Sequence, residues 1–98
     1  MNNLIEEQYN IIQTKVFITK ADLKILMGLD DKSCKQMLQD VYHAIRFNYL
    51  KDLKESKKIP PSRYVIPLNY ALEYLKDYGI TRKKIIDSYK LELTMKGD

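Results

Sequence analysis

The stretch FITKADLKILMGLDDKSCKQMLQDV, residues 17 to 41, decides the fold. It opens on Val16-Phe17-Ile18, a short β-prone run. Thr19 follows, a good helix N-cap, with Asp22 three residues on, where an acid can answer the cap as in a capping box. This pattern predicts a helix from Lys20 to about Met27, with Leu23, Leu26 and Met27 on one apolar face. Gly28 ends it, because a residue just past a helix end commonly turns left-handed and glycine does so at little cost. Leu29 reads as a core anchor, and Asp30 or Asp31 can cap the next helix. A capped helix, a tight glycine turn and a second capped helix make a helix-turn-helix.

Outward on the C-terminal side, Cys34, Met37, Leu38, Val41, Ile45, Tyr49 and Leu53 form one apolar stripe. The helix that carries it either runs unbroken from about 31 to about Ser56 or breaks near Asn48; the apolar spacing is the same in both cases. Lys57-Lys58-Ile59-Pro60-Pro61-Ser62-Arg63 then reads as an exposed basic loop, since two prolines cannot continue a helix. Tyr64-Val65-Ile66 is a strand candidate, and Pro67 suits the start of a helix whose buried face is Leu68, Ala71, Leu72 and Leu75 and which Gly79 terminates. Thr81 caps a last helix with Ile85, Ile86, Tyr89 and Leu93 in register. On the N-terminal side, Leu4, Ile5, Gln8, Tyr9, Ile11 and Ile12 keep helical spacing over residues 3–13, with Glu6 and Glu7 near the positive end of the helix dipole. The expected fold is mainly α: a winged helix-turn-helix-like domain with a short β hairpin and extra terminal helices. One domain spans residues 1–98, with an N-terminal helix in 1–14, a helix-turn-helix plus wing core in 17–78 and a C-terminal helix in 80–95.

Bulk properties agree with one small globule. The 98 residues suffice for one modest core, and 45% hydrophobic with 31% charged residues is a globular balance. The formal net charge of +4 permits nucleic-acid binding without demanding it. A single cysteine, Cys34, leaves no partner for an intrachain disulfide and too few soft ligands for structural zinc; it reads as a small buried apolar residue. His43 is the only histidine, which closes off most metal and Ser-His-Asp chemistry. With no nucleophile–base pair, phosphate-binding glycine loop or metal cluster in the sequence, the expectation is no enzyme, no cofactor and no metal. MNNLIEEQYN has neither the basic start nor the apolar run of a signal peptide, and no stretch is long and apolar enough for a bilayer, so a cytoplasmic protein without membrane contact is expected.

Three groups of residues bear on function. Lys32, Lys35, Gln36, Gln39, His43 and Arg46 share a polar stripe opposite the apolar one, with Ser33 beside it. Lys and Arg can meet phosphates or guanine edges, Gln can pair with adenine, and Ser can reach a phosphate. The same stripe also reads as an ordinary solvated helix face, and Asp30 and Asp31 oppose a close approach of phosphate unless they serve as caps. Lys54, Lys57, Lys58, Arg63 and Tyr64 cluster around the basic loop, either as a wing touching the DNA backbone or minor groove or as a solvated linker. Arg82-Lys83-Lys84 opens the last helix where the dipole disfavours cations; it reads as surface charge, with a partner or phosphate contact as the other reading. Tyr70, Tyr74 and Tyr78 repeat at i, i+4, i+8 and read as a core edge or subunit contact rather than a base-stacking platform. Tyr42 and Tyr49 are expected to shield the long helix.

Residues 17 to about 78, through FITKADLKILMGLDDKSCKQML and KKIPPSRYVIPLNYALEYL, resemble the small winged helix-turn-helix proteins, excisionase-like and MerR-like, of Gram-positive phages and mobile elements. The resemblance implies a recognition helix carrying Lys32, Ser33, Lys35, Gln36 and Gln39, and a wing carrying Lys57, Lys58 and Arg63. It implies DNA binding in transcription regulation or recombination directionality. The longer helix after the turn and the terminal helices depart from an excisionase, and suggest a homodimer or an element-encoded protein partner. Three functions follow: a double-stranded DNA binder; a replication accessory protein that binds single strands or an element-encoded polymerase or helicase; and a protein-binding adaptor.

Overall fold

A computed structural model describes residues 4–29, 35–56 and 65–96. The elements run α1 (Leu4–Thr14), β1 (Phe17–Ile18), α2 (Lys20–Met27), α3 (Lys35–Ser56), β2 (Ile66–Pro67), α4 (Leu68–Leu75), a 3-10 turn (Lys76–Tyr78) and α5 (Arg82–Lys96). The fold is mainly helical with one small two-stranded antiparallel sheet.

The helix ends follow from local chemistry. Thr19 and Asp22 form a reciprocal capping box at the start of α2. At its other end Gly28 is left-handed, with φ of 67°; the Gly28 and Leu29 N–H groups donate to the Ile25 and Lys24 carbonyls, closing a Schellman motif. The same pair of bonds recurs at Gly79, whose φ is 80°: Gly79 and Ile80 N–H donate to Lys76 and Leu75. The helix before that glycine ends earlier than its pattern suggests, giving way after Leu75 to the tighter 3-10 turn. Thr81 Oγ1 accepts from the Lys84 N–H and starts α5.

α3 is one continuous helix of 22 residues, which settles whether the stripe breaks near Asn48. At 1.5 Å per residue it is about 33 Å long. Leu38, Val41, Tyr42, Ile45 and Tyr49 are buried along it. Met37 departs from the expected stripe and is exposed, because the stripe drifts around the helix and leaves this position at its edge.

β1 and β2 pair in register Phe17↔Pro67 and Ile18↔Ile66, and the Leu68 N–H extends the pairing to the Val16 carbonyl. The expected short hairpin takes a different form among the described residues: its two strands come from opposite sides of the α2–α3 unit. Pro67 lies within the second strand and precedes α4 rather than opening it. Ile18 and Ile66 face inward and are almost wholly buried. With Leu23, Leu26, Ile45, Leu68, Ala71 and Leu75 they form the centre of one core.

The terminal helices pack on this same core. α1 lies against both α5 and α2. Ile11, Ile12 and Ile85 are buried, and Tyr9 stacks on Tyr89. Leu93 departs from the expected register and is half exposed.

Candidate nucleic-acid interface

The face opposite the buried stripe of α3 holds the candidate contact residues. Lys35, Gln36, Gln39 and His43 are exposed, and Arg46 is half-buried at the edge of the stripe. At about 100° per residue the five fall within one arc. They form a polar stripe of about 16 Å from Lys35 to Arg46. Lys32, Ser33, Lys57, Lys58, Arg63 and Tyr64, together with Asp30, Asp31 and Cys34, lie outside the described residues.

α2 braces the other side of α3, and α2 is itself held at both ends. Gln8 of α1 donates from Nε2 to the carbonyls of Ile25 (3.0 Å) and Leu26 (3.2 Å) in the last turn of α2, the first of which also accepts from the Gly28 N–H. At the start of α2, Lys15 Nζ lies 2.7 Å from Asp22 Oδ1, while Asp22 Oδ2 accepts from the Thr19 N–H at 3.1 Å. Burial pushes the Asp22 carboxyl up, but the hydrogen bonds from Lys15 and Thr19 and the nearby ammonium outweigh it, and the pKa falls below the ordinary carboxylate value. Asp22 is therefore a satisfied buried anion that fixes the entry to the brace helix.

The face is not uniformly free. Gln36 Nε2 donates to Asp40 Oδ1 at 2.9 Å. Gln36 therefore meets an adenine with both its groups only after releasing that bond, and Asp40 places a carboxylate at the rim of the stripe. The i, i+4 Gln–Asp spacing was the signal for this pair in the sequence. The stripe also continues into an apolar patch that sequence reasoning passed over: Phe47 is 69% exposed and Leu50 38%. Their spacing after His43, four residues and then three, repeats the rhythm of the polar stripe and could have revealed them.

Arg82 leaves the candidate basic surface. Its Nη1 donates to the Ile12 carbonyl at 2.7 Å and its Nη2 to Asn69 Oδ1 at 2.8 Å. The guanidinium thus ties the end of α1 to α4 and α5, a structural use of a cation at an unfavourable helix start. Lys83 and Lys84 remain exposed.

The tyrosines behave as a core edge. Tyr70 and Tyr74 pack half-buried against the core, Tyr78 stacks on Tyr74, and Tyr70 meets Tyr49 at a tilt. The Tyr70 hydroxyl donates to Asp52 Oδ2 at 2.6 Å, joining α4 to the outer half of α3. Burial, with that carboxylate beside it, pushes the Tyr70 phenol up to about 12. Tyr70 and Tyr74 line an open groove of about 520 Å³ with Asn48, Lys51, Asp52 and Asp77. Among the described residues no group of three or more His, Cys, Asp or Glu is placed to hold a metal ion, and no helix is long and apolar enough to cross a membrane. No protein-family model matches this chain, and neither a curated protein nor a solved structure shows significant similarity to it.

Proposed function

We propose that this chain is a non-enzymatic, double-stranded DNA-binding protein that docks the first turns of α3 in the major groove. The carrying observation is that Lys35, Gln36, Gln39 and His43 stand exposed on one face while α2, locked at Thr19 and Gly28, braces the face opposite. A major groove about 12 Å wide admits a helix presented in this way. Lys35 and Arg46 supply phosphate contacts, and Gln36 and Gln39 read base edges. In a phage or mobile element such a protein would serve transcription regulation or recombination directionality.

Fluorescence anisotropy with duplexes selected from a random pool tests the reading. Log K should fall linearly with log salt, and Lys35→Glu combined with Gln36→Ala should abolish duplex preference. Unchanged duplex binding in that variant would reject the assignment. Tighter binding to the single strand would move the function to replication.

A further inference from the structure

The outer half of α3 carries an exposed apolar pair, Phe47 and Leu50, that DNA docking does not use. Down the helix axis, at about 100° per residue, His43, Arg46, Phe47, Leu50, Lys51 and Lys54 fall within one arc of about 140°. Phe47 is 69% exposed, the most exposed aromatic side chain among the described residues, and Leu50 is 38% exposed beside it. Around this apolar pair stand Arg46, Lys51 and Lys54, and from His43 onward the arc holds no carboxylate; Asp40, one turn earlier at the same angle, is bonded to Gln36. Asp52 lies on the other side of the helix, bonded to Tyr70, and Glu55 falls outside the arc. Of this half of α3, Ile45 and Tyr49 are buried and Leu53 is half-buried, so its outer side is an accessible rod.

We infer that this face binds an acidic amphipathic helix of a protein partner, with Phe47 and Leu50 set into its apolar stripe and Arg46, Lys51 and Lys54 paired with flanking carboxylates. An exposed basic and apolar helix face fits an acidic, apolar partner. A second copy of the chain is disfavoured, because it would bring Arg46, Lys51 and Lys54 against their own kind. Duplex DNA is disfavoured because Phe47 lies about 18 Å along the axis from Lys35, and its ring offers no hydrogen bond to a phosphate or base edge. The partner site lies C-terminal to the first turns of α3 and shares only His43 and Arg46 with the polar stripe, and the inference does not depend on the DNA reading.

The test is isothermal titration calorimetry of the full chain with two synthetic amphipathic peptides of about 18 residues, long enough for about five helical turns. Both carry Leu at i, i+3, i+4 and i+7; one carries Glu on its flanks and the other Lys. The acidic peptide should bind and the basic one should not. Phe47→Ser should weaken binding at least about tenfold while leaving the melting curve in place, since the side chain is exposed. Lys51→Glu with Lys54→Glu should reverse the preference toward the basic peptide. No binding of the acidic peptide, equal binding of both, or an affinity indifferent to Phe47→Ser would each overturn the inference. So would sedimentation showing a dimer that Phe47→Ser abolishes, or single-stranded DNA binding that depends on Phe47 in the absence of peptide binding.

Discussion

Tyr9 of α1 lies flat on Tyr89 of α5, ring centroids 3.9 Å apart and planes 9° from parallel. Because this stack joins the two terminal helices, it reports on whether they belong to the same cooperative unit as the core. Tyr9→Ala and Tyr89→Ala should each destabilise the protein. A double-mutant cycle in urea should give a coupling of about 0.5–1.5 kcal/mol. Additive effects would mean that the stack adds nothing to the burial of Ile11, Ile12 and Ile85 and the Arg82–Ile12 hydrogen bond.

Acid should destabilise the start of α2 through Asp22. Its pKa in the folded chain lies below the ordinary carboxylate value of 3.8, so the stability it contributes is present above that value and is lost as pH falls through the depressed one. Lys15→Met should bring this loss to higher pH in acid titrations followed by circular dichroism. The Lys15 side chain is 45% exposed, so solvent screens the pair and its removal should cost no more than about 1 kcal/mol at neutral pH. Asp22→Asn should cost more, because it also weakens the capping box.

Gly28→Ala should destabilise by about 1–2 kcal/mol, the cost of a left-handed residue with a Cβ. Space is not the obstacle: an added Cβ would meet Leu4 Cδ2 at 3.6 Å, an ordinary contact. The substitution should therefore lower the denaturation midpoint without changing its slope. A larger loss would indicate that α1 shifts away from the turn.

The eight tyrosines should not titrate together in ultraviolet absorbance. Tyr70, held up near 12 by burial and by Asp52, should ionise late. Its hydrogen bond stabilises the α3–α4 contact below the ordinary phenol value of 10.0, and that contribution disappears as pH rises from there through about 12. Asp52→Asn should bring the late phenol part of the way back, leaving the shift due to burial. Tyr70→Phe should remove it and cost about 0.5–1.5 kcal/mol.

What the sequence determined by itself was local. Thr19 and Asp22, Gly28 and Gly79 mark helix ends because a cap or a left-handed residue depends only on neighbours a few positions away. The stripe from Leu38 through Val41 and Ile45 to Tyr49 was legible for the same reason, since a 3.6-residue period is written along the chain. The polar stripe of Lys35, Gln36, Gln39 and His43 followed as its complement. Tertiary structure decided everything that joins distant residues. It paired Ile18 with Ile66, made Arg82 a tie to Ile12 and Asn69, and folded α1 and α5 onto each other. It also decided which apolar residues stay outside: Ile45 is buried under its neighbours, whereas Phe47, two residues on, stays largely exposed. Burial depends on what packs opposite a helix face, and no spacing along one helix specifies that.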